Sequence, residues 1–458
     1  MKTKFLTALL FVLSLLLTQA AQTLPAKPNI IFILCDDLAP GDVGCFGQKK
    51  IKTPNVDRMA EEGTKFTHLY TGTSVCAPSR CSLMTGLHMG HAAVRANREI
   101  QPEGQMPMPA GTFTVAQLLK SAGYSTACIG KWGLGMFDTT GSPLKMGFDH
   151  FFGYNCQRHA HSYFPKYLYR DAQRFELDGK TYAQNLIAND TLEWVRAQRN
   201  HPFFLFYAIT LPHGKHEIDD QGAYANLDWP NLQKNYAAMV TRLDSDVGRL
   251  LALLKELKLD EKTLVILSAG DNGASFSPDS ELGKFFDQSL GMRGNKRTMY
   301  EGGLRQRGVA RWPGYVPAGK VSDYPWAFWD FLPTAAELAG VKVPASVKTD
   351  GLSVVSALTG GTGPAREYFY WELHEPSFMQ ALHQGDWKVV RPTLSSPVEL
   401  YNLGSDPGER NDLAAQQPDL VKKLTALMDS ARVESPDWPR KDKPAQKASG
   451  NKGKKKAQ

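Results

Sequence analysis

Asn29-Ile30-Ile31-Phe32-Ile33-Leu34-Cys35-Asp36-Asp37 decides the fold of this chain. The apolar, β-branched run has no polar alternation, which is the pattern of a strand buried on both faces of a parallel sheet. It ends on two carboxylates. Thr263-Leu264-Val265-Ile266-Leu267-Ser268 repeats the pattern and leads into Gly270-Asp271-Asn272-Gly273. In open α/β sheets, ligands bind beyond the carboxyl ends of the strands. Two such strands side by side bring Asp36, Asp37, Asp271 and Asn272 together. All four offer oxygen, which suits Ca²⁺ (or Mg²⁺) and argues against zinc.

Around these runs, strand and helix patterns alternate. Further strands are expected at Tyr124–Ile129, Phe203–Thr210 and Leu304–Arg311. Helices are expected at Thr112–Ser121, at Gln184–Gln198 and along the face Met239, Leu243, Val247, Leu250, Leu251 and Leu254. The alternation predicts an α/β class: a mostly parallel sheet flanked by helices, over residues 28–358. The Gly/Thr-rich stretch Thr359–Gly363, with Pro364, marks a boundary. Beyond it, strand-like runs at Tyr368–Leu373, Trp387–Arg391 and Val398–Leu403 and a helix at Pro418–Ala431 predict a small α+β subdomain over 364–435.

Met1–Ala20 reads as a cleaved signal peptide, with Lys2 and Lys4 ahead of the apolar Phe5–Leu17 and Thr18-Gln19-Ala20 as the cleavage site. Export to the periplasm or outside follows. The apolar run is too short for a membrane span, so no stable insertion is expected. The net charge of +7 misleads: residues 440–458 carry eight Lys/Arg against one Asp, Lys2 and Lys4 add two more, and the body is left near −2. The basic tail, 440–458, lacks apolar periodicity and is expected to be disordered. No nucleic-acid motif occurs. The six cysteines, at 35, 45, 76, 81, 128 and 156, show no zinc spacing, and any pairing among them is not readable from sequence.

Cys76-Ala77-Pro78-Ser79-Arg80, closed by Leu83-Met84-Thr85-Gly86, carries the chemistry. Pro78 suits a first helical turn. A helix over 78–86 places Cys76 just before its N-terminus, where the dipole and free N–H groups favour an anion. An oxyanion at position 76, thiolate or alkoxide, is favoured there. Arg80 lies one turn on, within reach of that oxyanion or of a bound anion.

This run resembles the type I (formylglycine-dependent) sulfatase signature of the alkaline-phosphatase-like superfamily. Gly130-Lys131-Trp132-Gly133-Leu134-Gly135, Leu211-Pro212-His213 and Asn295-Lys296-Arg297-Thr298-Met299-Tyr300-Glu301-Gly302-Gly303 resemble further sulfatase motifs, in the family's order. The resemblance spans roughly residues 28–435. It implies an alkaline-phosphatase-like α/β domain with a small antiparallel C-terminal domain. It implies an arylsulfatase-like sulfuric ester hydrolase, acting on a sulfated carbohydrate or aryl sulfate. A formylglycine-generating enzyme would convert Cys76 to formylglycine, whose hydrate attacks sulfur. Asp36, Asp37, Asp271, Asn272 and residue 76 would hold Ca²⁺. Arg80, Lys131 and Lys296 would hold sulfate oxygens, and His213 the sulfate or the leaving oxygen.

Three departures stand out. Gly133 replaces a histidine that contacts the hydrated aldehyde in many sulfatases, Leu87 stands where an Arg often follows Thr-Gly, and Arg305-Gln306-Arg307 replaces a more apolar stretch. The polar and aromatic segment Gln157–Tyr163 and the pair His374-Glu375 are candidates for sugar contacts. Two other functions compete: a phosphate or phosphonate ester hydrolase of the same fold, and a non-catalytic glycan-binding protein that keeps Cys76 as a thiol. Asn272 favours the sulfatase, since a transition-metal phosphoesterase often has histidine there.

Overall fold

β1 (Asn29–Asp36) is buried along its whole length, and its side chains divide between two cores. Ile30, Phe32 and Leu34 point into one, Ile31, Ile33 and Cys35 into the other. The computed structural model describes residues 24–101 and 104–442. The signal peptide expected over Met1–Ala20 and most of the basic tail, 443–458, lie outside the described residues. Lys441 and Asp442 are held in place: Phe378 N donates to Lys441 O at 3.1 Å, and Leu394 N to Asp442 Oδ1 at 3.0 Å.

The further strands are β2 (Thr64–Tyr70), β3 (Ser125–Lys131), β4 (His150–Tyr154), β5 (Tyr167–Arg170), β6 (Gln173–Glu176), β7 (Phe203–Pro212), β8 (Thr263–Ser268), β9 (Arg305–Arg311) and β10 (Lys320–Ser322). With the short Trp326–Ala327 strand on β2 they form an 11-stranded sheet, in the order β10-β2-β9-β8-β1-β7-β3-β4-β5-β6. The centre, β8-β1-β7-β3-β4, is parallel. Its flanks are antiparallel at β9 and at β5 and β6. The register Asn29↔Thr263 to Leu34↔Ser268 ends β1 and β8 level, so Asp36-Asp37 and Asp271-Asn272 leave the sheet together.

Helices α1 (Pro54–Glu61), α2 (Cys76–Thr85), α3 (Val115–Ser121), α4 (Ala183–Ala197), α5 (Asn231–Glu256) and α6 (Phe331–Leu338) cover both faces. α2, α3 and α6 pack on one, and α1, α4 and α5 on the other. β8 spans the expected residues, whereas β3 and β7 each run two residues further. For β3 the reason is parallel pairing of Lys131 with Tyr154. α2 starts at Cys76, not at Pro78, because extended Val75 serves as its N-cap. Gly86, with φ 70°, ends it in the left-handed region.

β11 (Phe369–Leu373), β12 (Met379–Gln384), β13 (Trp387–Arg391) and β14 (Glu399–Asn402) form a separate antiparallel sheet. Sequence reading missed β12: Met-Gln-Ala-Leu-His-Gln has no β-branched residue, and pairing on both edges overrides that propensity. One face of this sheet packs on Tyr70, Leu304 and Trp329 of the large domain, the other on α7 (Pro418–Ser430). Lys388 on β13 is fully buried, 2.9 Å from Glu301 Oε1 and 2.8 Å from Glu409 Oε1. It neutralises carboxylates from both domains. Lys388→Met strands that charge, and we expect it to lower stability in urea unfolding by about 3–5 kcal/mol.

Candidate active site

Each group at the carboxyl end of the sheet is placed by a strand or helix terminus. Asp36 ends β1 where the pairing with β7 shifts register, a bulge that re-aims it. Asp37 follows with φ 61°, a left-handed conformation that Asp tolerates. Cys76 opens α2, Lys131 ends β3, and His213 follows β7. Asp271 and Asn272 follow β8, and Lys296 lies on the loop before β9.

These groups converge. Cys76 Sγ donates to Asp36 Oδ1 at 3.5 Å and to Asn272 Oδ1 at 3.4 Å. Lys296 Nζ lies 3.5 Å from the same sulfur and 2.7 and 2.8 Å from the two Asp37 oxygens. Lys131 Nζ donates to Asp36 Oδ2. Arg80 Nε donates to Asp271 Oδ2 at 2.9 Å, and its Nη1 to the Lys131 carbonyl. His213 Nε2 is 3.3 Å from Asp37 Oδ2. Asn272 Nδ2 donates to Asp37 Oδ1 at 2.6 Å, and Ser275 Oγ donates to Asp37 Oδ2. All nine predicted residues thus meet; eight are buried, and Lys296 is half-buried.

Burial shapes the charges. It would raise the Asp37 carboxyl, but the Lys296 ammonium holds it well below the usual carboxylate range. Burial and the Asp36 carboxylate push Asp271 up despite Arg80. Burial drives His213 well down, to a neutral imidazole. For Lys296, burial opposes the charge but Asp37 outweighs it and raises the ammonium. Burial, then Asp271, push the Cys76 thiol far up. This corrects one expectation: the helix end does not make Cys76 a thiolate among these side chains.

The donor set fits a hard divalent cation. Three buried carboxylates and a carboxamide oxygen face one space, and Asp271 Oδ1 is buried without a hydrogen-bond partner. Ligand atoms of Asp36, Asp37, Cys76 and His213 lie within 4.8 Å of one another, so His213 stands nearer the carboxylates than the sequence reading placed it. A second group, His88, His91 and Asp350, reads differently. Gly90 N donates to His88 Nδ1 at 3.1 Å, which leaves the proton on Nε2, the atom facing Asp350. This cluster clamps the far end of α2, where Asp350 N also donates to Gly86 O at 2.9 Å.

Sequence reading missed several supports. Gln306, one of the departures, is fully buried and donates to the Asn272 carbonyl. A polar residue inside a strand was the signal. Asn97 accepts from Ala77 N at 3.1 Å and is itself held by Glu375, so His374-Glu375 brings the C-terminal domain to the rim. Cys35, Cys45, Cys76, Cys81 and Cys128 are reduced. No helix among the described residues is long and apolar enough to cross a membrane.

A parallel-centred α/β sheet with this cluster at its carboxyl edge defines a hydrolase of anionic esters. Residues 28–341 match the sulfatase family, and residues 293–434 match the N-sulphoglucosamine sulphohydrolase C-terminal family. The chain belongs to the sulfatase family and is a sulfuric ester hydrolase. It is similar to the N-acetylgalactosamine-6-sulfatase of Mus musculus, at 33% identity over 429 residues, covering 88% of this chain and 79% of that protein. Arylsulfatase A of Homo sapiens is 31% identical over 474 residues, with 90% of each chain covered. A solved structure of Ps i-CgsB in complex with k-i-k-neocarrahexaose is similar with a TM-score of 0.79 at 28% identity, covering 91% of this chain and 95% of that one.

Proposed function

We propose that this protein removes sulfate from a sulfated carbohydrate, using formylglycine made from Cys76 by a formylglycine-generating enzyme, and Ca²⁺. One observation carries the reading: Cys76 Sγ lies between Asp36, Asn272 and Lys296, with Arg80 and Lys131 tied to the same carboxylates. Asp36, Asp37, Asp271, Asn272 and residue 76 would hold the ion. When present, formylglycine supplies a hydrated aldehyde as nucleophile, and Ca²⁺ supplies positive charge to the sulfate oxygens.

The rest falls to side chains. Arg80 is fixed by Asp271 and the Lys131 carbonyl, so its guanidinium is preorganised toward an anion beside Cys76. Lys131 and Lys296 bring ammonium groups to the carboxylates flanking the sulfur. Lys296 and His213 both stand beside Asp37, and one of them would give the departing oxygen the proton with which it leaves as an alcohol. A glycan substrate is supported by the N-acetylgalactosamine-6-sulfatase relative and by the oligosaccharide in the Ps i-CgsB structure. Export, by the signal peptide expected at Met1–Ala20, places the enzyme where such polymers occur. The phosphoesterase reading loses ground at Asn272, which offers oxygen where a transition metal takes imidazole.

The test is inorganic sulfate release from sulfated glycans and aryl sulfates by protein co-expressed with a maturation enzyme. Release above a Cys76→Ala blank is expected. No release on any substrate, with the aldehyde verified at position 76, would overturn the proposal.

A further inference from the structure

Gly133 leaves a hole beside the cluster, and a different residue fills it. Its backbone is left-handed, with φ 80°, and it follows Lys131 by two positions. A Cβ built there would overlap Gln157 Nε2 and would lie 3.8 Å from Arg80 Cδ. The Gln157 carboxamide therefore occupies the volume that a side chain at 133 would take, next to the Arg80 side chain. The loop carrying it is pinned along the end of β3: Trp132 N donates to Tyr154 O at 2.9 Å and Gly133 N to Asn155 O at 3.0 Å. At its other end the same loop sets His161 against His213, with ring centroids 4.5 Å apart and the rings tilted by 40°. It thus walls the pocket from Arg80 to His213.

Gln157 is only 8% exposed, and neither end of its amide has a hydrogen-bond partner. Buried amides are almost always satisfied. We read one left open on both atoms, close to the Arg80 side chain, as aimed at something the protein binds. A neutral carboxamide suits an oxygen of a tetrahedral anion, to which it donates without adding charge.

We propose that Gln157 is a catalytic residue that donates Nε2–H to an oxygen of the sulfate group held at Arg80 and Lys131. The inference rests on the sulfatase reading above. It adds that the wall opposite Gly133 is an amide that does not titrate, supplied by the loop after β4.

Gln157→Leu keeps a branched end, is apolar and one atom shorter, and removes both polar atoms. In matured protein, kcat/KM for 4-nitrophenyl sulfate is expected to fall about 100-fold, the scale for losing one donor to a developing oxyanion. The rise in Tm produced by inorganic sulfate, a readout that needs no turnover, is expected to shrink with it. Gln157→Glu sets a carboxylate against the anion. Its deficit relative to wild type should narrow as pH falls and the new carboxyl takes up a proton and donates in place of the amide. A purely structural role gives no such acid recovery. A folded Gln157→Leu variant with wild-type kcat/KM and an unchanged sulfate effect on Tm overturns the inference. If that variant does not fold, a pH-independent deficit in Gln157→Glu overturns it instead, and acid recovery upholds it. Should wild type release no sulfate at all, the proposed function fails, and the effect of inorganic sulfate on Tm still decides the role of Gln157.

Discussion

Cys76→Ala is expected to lower sulfate release by about 10⁴-fold or more while leaving the fold intact, the pattern of losing a nucleophile. The two halves of that statement have separate causes. Cys76 is buried in the first turn of α2, and its sulfur makes only long contacts, at 3.4–3.5 Å, to Asp36, Asn272 and Lys296. Alanine suits a helix and removes one small group, so unfolding should shift by no more than about 1 kcal/mol. Activity, by contrast, has no substitute. No other thiol or hydroxyl is placed at once beside Asp36, Asn272 and Lys296 among the described contacts. Burial and Asp271 also hold the unconverted thiol protonated, so wild-type protein made without a maturation enzyme should be nearly as inactive as Cys76→Ala. Co-expression should restore the rate in proportion to the fraction of the Cys76 peptide that shows the mass loss of aldehyde formation. Full activity in protein whose peptide still carries a thiol would sink the mechanism.

The candidate cluster was legible because strand ends carry their residues to one edge. Once Asn29–Leu34 and Thr263–Ser268 read as adjacent buried strands, Asp36, Asp37, Asp271 and Asn272 had to meet, and the observed register bears this out. The supporting groups were less legible: Ser275, Asn97 and Glu375 act through loops whose course no periodicity fixes, and Gln306, though on β9, reaches Asn272 only through the fold. Gln157 is the sharpest case. Its segment stood out for composition, yet only three dimensions show its amide in the volume beside Gly133. The electrostatics also escaped the sequence. A helix N-terminus favours an anion, but burial and then Asp271 outweigh it at Cys76, and that balance depends on distances.

Arg80→Leu is expected to lower kcat/KM by about 10³-fold and to make the fold depend on calcium. Arg80 is fully buried between Asp271, at 2.9 Å, and Asp36, at 3.7 Å. Removing it leaves three carboxylates facing only the ammonium groups of Lys131 and Lys296. Breaking a buried pair in this way costs about 3–5 kcal/mol, because a charge is left without its partner. Asp271, already pushed up by burial and Asp36, then loses its main relief. A divalent cation supplies what the guanidinium gave, so Ca²⁺ should bind the variant more tightly than wild type and raise its Tm further. Sulfate release should not follow, since the ion repairs the carboxylates and not the lost contact to the substrate anion. Arg80→Lys separates charge from geometry: it keeps the cation, forfeits the planar fork, and should recover most of the stability but little of the activity. Thermal unfolding with and without Ca²⁺, beside kinetics on 4-nitrophenyl sulfate, reads both. If chelation affects wild type and Arg80→Leu equally, the carboxylates are not where the ion sits, and the assignment of Asp36, Asp37 and Asp271 as its ligands fails.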